Sequence, residues 1–153
     1  MDKKELLAGL SERLGIELVP DESGNCSIVF EDRYSITLRY DEQRDAFLLL
    51  GVVADDLPED LSRAAALEIM ELALGCALEG VPGIGRDSES GLIVASLTMY
   101  AANTTVDELA EAFSKFVEFQ VLMTERFLQL EAGEPLPGED EESQPLPLQG
   151  LSV

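Results

Sequence analysis

Hydrophobic residues recur with two different periods along this chain, and the periods separate helices from strands. Four leucines between positions 3 and 14 recur at helical spacing. Gly15 follows them, where a left-handed C-terminal cap is expected. The pattern predicts a first helix over residues 3–14.

Strict alternation of apolar and polar residues follows this helix. It predicts a strand from Cys26 to Phe30 and a second from Tyr34 to Tyr40, joined as an antiparallel hairpin. The next stretch, Phe47–Val53, is apolar at successive positions, so both faces of this third strand should be covered.

The second half of the chain repeats these signals. An Ala-, Leu- and Glu-rich stretch after Asp60 predicts a second helix that ends near Glu79. Two further strands are predicted at Ile84–Glu89 and Leu92–Tyr100. Thr105 and Glu108 form a capping box at the start of a long third helix. Its apolar face comprises Leu109, Phe113, Phe116, Met123, Phe127 and Leu130.

The resulting order, α-β-β-β-α-β-β-α, predicts an α+β domain over residues 1–132, with helices packed on a twisted antiparallel sheet. The second helix carries two apolar stripes on roughly opposite sides. The first stripe comprises Leu67, Met70, Leu74 and Leu78, and the second comprises Leu61, Ala65, Ile69, Leu72 and Cys76. One stripe should cover the sheet, and we assign the second stripe to the interface of a homodimer.

Residues 133–153 differ from the rest in composition. They hold four of the seven prolines, five acidic residues and no basic residue. This composition predicts a flexible tail that is dispensable for folding. Because Leu146, Leu148 and Leu151 are interspersed with Pro145, Pro147 and Gln149, an extended tail could also compete for a binding groove of the same chain.

Charge and composition exclude several functions. The chain carries 31 acidic and 10 basic residues, a formal charge of -21, and no histidine. Histidine-activated nucleophiles and the usual zinc sites lack their commonest residue, so we predict neither a cofactor nor a metal. Nucleic acid and anionic membranes would repel such a chain, and a protein is the expected partner.

Two cysteines and no apolar run of membrane-spanning length indicate a cytoplasmic protein with reduced thiols. Acidic clusters at 41–45 and 55–60 suggest solvated loops. A carboxylate-dependent hydrolase stays open as an alternative, although we predict that the chain is not an enzyme.

The element order, size and acidity resemble the class I chaperones of bacterial type III secretion, the Tir chaperone or CesT-like family. The resemblance spans about residues 6–130. It rests on Leu14-Gly15-Ile16, the strand Asn25–Phe30, Leu48–Val52, the link Asp87–Leu92 and Phe116-Val117-Glu118.

The resemblance implies a cytoplasmic homodimer that contributes to virulence by binding the N-terminal segment of a secreted effector and keeping it extended and secretion-competent. It leaves contact with the secretion-system ATPase open, and an anti-activator that sequesters a regulator is the alternative. The predicted effector-binding residues are Leu6, Leu10, Ile28, Phe30, Ile36 and Leu38. The competing hypothesis is that these six form only the helix-on-sheet core.

Overall fold

The computed structural model describes residues 2–80 and 82–131, and the predicted tail, 133–153, lies outside them. The order of elements predicted from the sequence is confirmed. The elements are α1 (Lys3–Leu14), β1 (Asn25–Phe30), β2 (Tyr34–Asp41), β3 (Ala46–Ala54), α2 (Arg63–Glu79), β4 (Gly83–Arg86), β5 (Ile93–Tyr100) and α3 (Val106–Glu131). A short 3-10 turn, Ala101–Asn103, joins β5 to α3.

The five strands form one antiparallel sheet in the order β1-β2-β3-β5-β4, so β1 and β4 are its edges. Strand β4 ends at Arg86, three residues before the predicted end. The reason is a turn in which the Asp87 carboxylate accepts hydrogen bonds from the backbone N–H and the hydroxyl of Ser90. The Asp87 N–H then donates to the Leu92 carbonyl at 2.8 Å, which starts β5.

Helices α1 and α3 cover one face of the sheet, which we call the inner face. Both predicted capping signals of these helices are present: Gly15 has φ +66°, the Thr105 N–H donates to the Glu108 carboxylate, and the Glu108 N–H donates to the Thr105 hydroxyl. The two helices also contact each other closely, because a Cβ added at Gly9 would lie 2.5 Å from Cγ2 of Val106. The core therefore lies between the two helices and the inner face.

One buried amide fixes α3 on the sheet. The side chain of Gln120 is fully buried, and its Nε2 donates to the carbonyls of Ser35 on β2 and Val52 on β3, both at 3.0 Å. The paired register of these strands ends at Ile36 opposite Gly51. The amide therefore bridges the two strands immediately beyond their last pair.

The opposite face of the sheet, which we call the outer face, is less covered than the sequence predicted. Both faces of β3 were predicted to be covered, but within the described ranges no helix packs over its outward residues Leu48, Leu50 and Val52, which are only partly buried. Among those same residues, no helix has the length and apolar content needed to cross a membrane.

Gly51→Ala tests the contact between α3 and the sheet. A Cβ at Gly51 would lie 2.7 Å from Cδ of the buried Gln120, so we expect the free energy of unfolding to fall by about 1–3 kcal/mol. Gly75→Ala in α2 is the control. Its Cβ would meet nothing within 4 Å, so stability should rise by about 0.5–1 kcal/mol. Urea denaturation measures both, and an unchanged stability for Gly51→Ala would contradict the close contact.

Candidate functional site

A groove opens between the N-terminal half of α1 and the inner face of the sheet, and we call it the α1 groove. It encloses about 410 Å³. Its apolar lining comes from α1 and from three adjacent strands, while charged side chains stand around it. The apolar lining residues are Leu7, Cys26, Leu38, Tyr40 and Phe47, and the charged ones are Lys3, Lys4 and Glu42.

Local interactions hold the wall of this groove in place. The Asp2 carboxylate accepts a hydrogen bond from the Glu5 N–H at 2.9 Å, and the Glu5 carboxylate accepts one from the Asp2 N–H, which starts α1 here. Lys3 reaches across to the sheet, with Nζ 2.9 Å from the Glu42 carboxylate and 4.7 Å from the centre of the Tyr40 ring. The groove therefore has a fixed edge.

Tyr40 is held as a neutral hydrogen-bond donor. Its hydroxyl donates to the carboxylate of Asp45, and this hydrogen bond is the main reason that its pKa is raised to about 12. The ring also packs edge-on against Phe47 at a centroid distance of 5.3 Å. Near neutral pH, the tyrosine offers the groove an apolar ring without a negative charge.

The charges at the groove differ in sign from those of the whole chain. Lys3 and Lys4 stand at its rim, although the net charge of the chain is -21. Within residues 2–80 and 82–131, Lys4 makes no ion pair. The groove can therefore accept apolar side chains on its lining and a carbonyl or carboxylate oxygen at its rim.

Most of the predicted effector-binding residues lie in the core. Leu6, Leu10, Ile28, Ile36 and Leu38 are all buried between the helices and the sheet. Leu38 also lines the α1 groove, and Phe30 is only partly buried, stacked 4.9 Å from the Tyr34 ring. The role of the six in effector binding remains a prediction, and the burial of five of them favours the competing hypothesis of a core.

Four apolar residues of the groove were missed by the sequence analysis: Leu7, Cys26, Tyr40 and Phe47. All four appeared in apolar patterns, but periodicity alone could not separate a groove wall from a core. Leu7 follows the buried Leu6 and lies at the border of the buried face of α1. This position at the border of the buried face is the one feature of the sequence that could have identified Leu7 as a groove residue.

The second stripe of α2, which we predicted as the dimer interface, is more buried in the single chain than the first, and its place in a dimer stays a prediction. Leu61 lies before the helix, which begins at Arg63, and Ala65 is partly buried. In the second stripe, Ile69 and Leu72 pack against the core and Cys76 is buried. The first stripe is the exposed one. Its exposed fractions are 46% for Leu67, 70% for Met70, 39% for Leu74 and 46% for Leu78. The sequence could not decide this, because both stripes are apolar and extend along most of the helix.

The described residues give little indication of a nucleophilic thiol or of a metal site. Burial raises the pKa of both thiols, and nearby carboxylates, Asp21 for Cys26 and Glu79 for Cys76, raise it further. Both cysteines are therefore protonated near neutral pH. In residues 2–80 and 82–131, no three His, Cys, Asp or Glu side chains are grouped as a metal site would require.

Sequence comparison identifies one family. The sequence model of the Tir chaperone protein (CesT) family matches residues 5–120. No curated protein sequence matches the chain.

Solved structures show the same fold. A chain of the HopA1-SchA chaperone–effector complex is 27% identical, with a TM-score of 0.68 over 80% of this chain and 92% of that one. A chain of the ExsC-ExsE complex is 21% identical, with a TM-score of 0.68 over 83% and 97%. A chain of the complex between the Yersinia pestis type III secretion chaperone SycH and a stable fragment of YscM2 is 16% identical, with a TM-score of 0.59 over 78% and 97%.

Proposed function

The chain belongs to the Tir chaperone protein (CesT) family, and on this premise we propose that it binds the N-terminal region of a type III secretion effector in extended form. It does so without catalysis, in the bacterial cytoplasm, and keeps the effector soluble and competent for secretion. The observation that carries the proposal is the family match over residues 5–120, together with the 27% identity to a chain of a chaperone–effector complex.

The α1 groove supplies a physical basis for this binding. An extended segment can place apolar side chains against Leu7, Tyr40 and Phe47, while Lys3 and Lys4 attract its backbone carbonyls or acidic side chains. Cys26 of the edge strand β1 lies in the same groove, and an edge strand has backbone groups free to pair with an added strand. Such a site binds a segment that is not folded.

The absence of histidine and the raised pKa of both thiols support a non-catalytic role. Binding of this kind requires no bond to be made or broken. The chain therefore acts by holding its client, and the net charge of -21 helps to keep a protein with exposed apolar surfaces in solution.

The working form that we propose is a homodimer joined through the first stripe of α2. Leu67, Met70, Leu74 and Leu78 lie along one side of the helix and are exposed in the single chain. Exposed apolar rows of this kind mark association surfaces, and a twofold axis would pair the row with itself.

Leu74→Glu should separate the dimer while leaving the chain folded. A charge without a partner in the paired stripe costs several kcal/mol, so the dimer should dissociate about 100-fold more readily. Ser114→Glu adds the same charge at an exposed position of α3 and should leave the dimer unchanged. Sedimentation equilibrium at micromolar concentration measures both.

Leu72→Glu completes this test. Leu72 packs against the core, so its replacement should lower the stability of the chain itself, seen by thermal denaturation. A parent chain that sediments as a monomer would contradict the dimer. If the Leu72→Glu variant stays folded but becomes monomeric, the second stripe forms the interface.

Leu7→Ser tests the α1 groove. A fully buried leucine contributes about 1.5–3 kcal/mol, and Leu7 is already partly buried in the free chain, so the effector segment should bind about tenfold more weakly. Ala8→Ser is the matched control, since Ala8 is the next residue of α1, is exposed and does not line the groove. Calorimetry with the N-terminal segment of an effector that binds the parent chain measures both, and equal affinities would place binding elsewhere.

A further inference from the structure

The outer face of the sheet carries an apolar strip that the α1 groove and the α2 stripe leave unused. Leu50 on β3 lies opposite Thr37 on one side and Ser96 on the other, and Val52 lies opposite Val94. A cavity of about 530 Å³ covers this strip, and we call it the outer groove. Its lining within the described residues comes from strands and turns only, including Ser35, Thr37, Leu50, Val52, Leu92 and Val94.

The outer groove continues to the last turns of α3. A second cavity, of about 490 Å³, shares Ser35, Val52 and Leu92 with it and is also lined by Thr124 and Leu128. Leu128 is 46% exposed and lies three residues before the end of α3 at Glu131. The second cavity is more polar, since Arg33 and Asp55 also line it. The chain that follows α3 therefore starts beside a cavity that leads into the outer groove.

We propose that residues 132–153 turn back from α3 and place Leu146 and Leu148 in the outer groove of their own chain. Leu146 lies 15 positions after Glu131, so the chain between them can span at most about 50 Å. The groove crosses from β2 to β4, three strand spacings or about 15 Å. The tail is therefore long enough to reach the outer groove. Tail docking is independent of the proposed effector binding.

The spacing of the tail leucines matches the strip. Leu146 and Leu148 are two residues apart, as Leu50 and Val52 are on β3, and in an extended chain such residues are about 6–7 Å apart along the chain. Pro145 and Pro147 lack an N–H, which disfavours addition of the segment to a sheet edge as a regular strand. They also restrict the free segment, so that less entropy is lost on docking.

The charge of the outer face permits an acidic segment to approach. The two cavities are lined by charged residues of both signs, Arg86 and Asp87 in the outer groove and Arg33 and Asp55 in the second cavity. Elsewhere on the outward positions of β1, β2, β3 and β5, the charged residues are Arg39 and, at the end of β2, Asp41. Asp41 is 3.6 Å from Arg44, which offsets its charge. For a tail that includes the run Glu139–Glu142, this face is less repulsive than the surface of a chain with a net charge of -21.

A spin label near the end of the tail tests the proposal in the full chain. Ser152→Cys supplies the attachment point, because Cys26 and Cys76 are buried and have raised pKa values. Methyl NMR spectra then report which leucines and valines lie near the label. We expect the methyl signals of Leu50, Val52 and Val94 to lose intensity at least about twofold, since tethering gives an effective concentration on the order of millimolar. The signals of Leu7, in the α1 groove, should change less.

Two tail variants complete the design. Leu146→Ser combined with Leu148→Ser should restore the lost intensity, whereas Gln149→Ser in the same segment should not. Uniform signals with no loss, or a loss that survives the double leucine variant, would overturn the proposal. A loss centred on Leu7 and Leu38 would place the tail in the α1 groove instead.

A mixed sample separates this docking from association between copies. Spin-labelled chains without methyl labels are combined with methyl-labelled chains that carry no spin label. If the tail docks on its own chain, the outer-groove signals in this mixture keep their intensity. A loss in the mixture would show that a second copy supplies the tail, and would overturn the proposal.

Discussion

The contact between Gln120 of α3 and Gly51 of β3 determines where the surfaces of this chain lie. The Gln120 amide is fully buried, and its Nε2 donates to one carbonyl from each of two adjacent strands, while its Oε1 has no partner among the described residues. A residue larger than glycine at position 51 would hold α3 away from the sheet. With α3 fixed, α1 packs beside its first turns through Gly9 and Val106, and the α1 groove opens at the N-terminal end of α1.

A chain of this size with two helices on one face of a sheet has more apolar surface than it can bury alone. Three of the surfaces that hold this surplus are the α1 groove, the first stripe of α2 and the outer groove. Each fits a different occupant, which we propose to be an effector segment, a second copy and the tail. The three occupants share one driving force, the removal of apolar area from water, and the acidic surface keeps the chain soluble in their absence.

The sequence predicted the order of helices and strands well, because each element had a strong local signal. The period of two in residues 26–40, the capping box at Thr105 and the cap at Gly15 were all confirmed. The short length of β4 was missed because it depends on a turn made by the Asp87 side chain. Local patterns also could not show which stripe of α2 faces the core, since that choice depends on contacts with distant residues.

The candidate site was harder to predict for the same reason. Leu6 and Leu10 have the same apolar character as Leu7, but only the packing of α1 on the sheet makes the first two core residues and leaves Leu7 at the groove. Similarly, the bridge from Gln120 to Ser35 and Val52 joins positions 85 and 68 residues apart, and no local pattern in the sequence marks it.

The most direct test of effector binding is hydrogen exchange of the full chain with and without the N-terminal segment of its effector. We expect a stable complex without nucleotide, with slower exchange at the N-terminal half of α1 and along the edge strand β1. The bound effector segment should have no folded core of its own, so that exchange in it is slowed only at scattered contact positions. An effector segment that binds as a compact folded domain, or slower exchange confined to surfaces away from the α1 groove, would contradict binding of an extended segment in this groove.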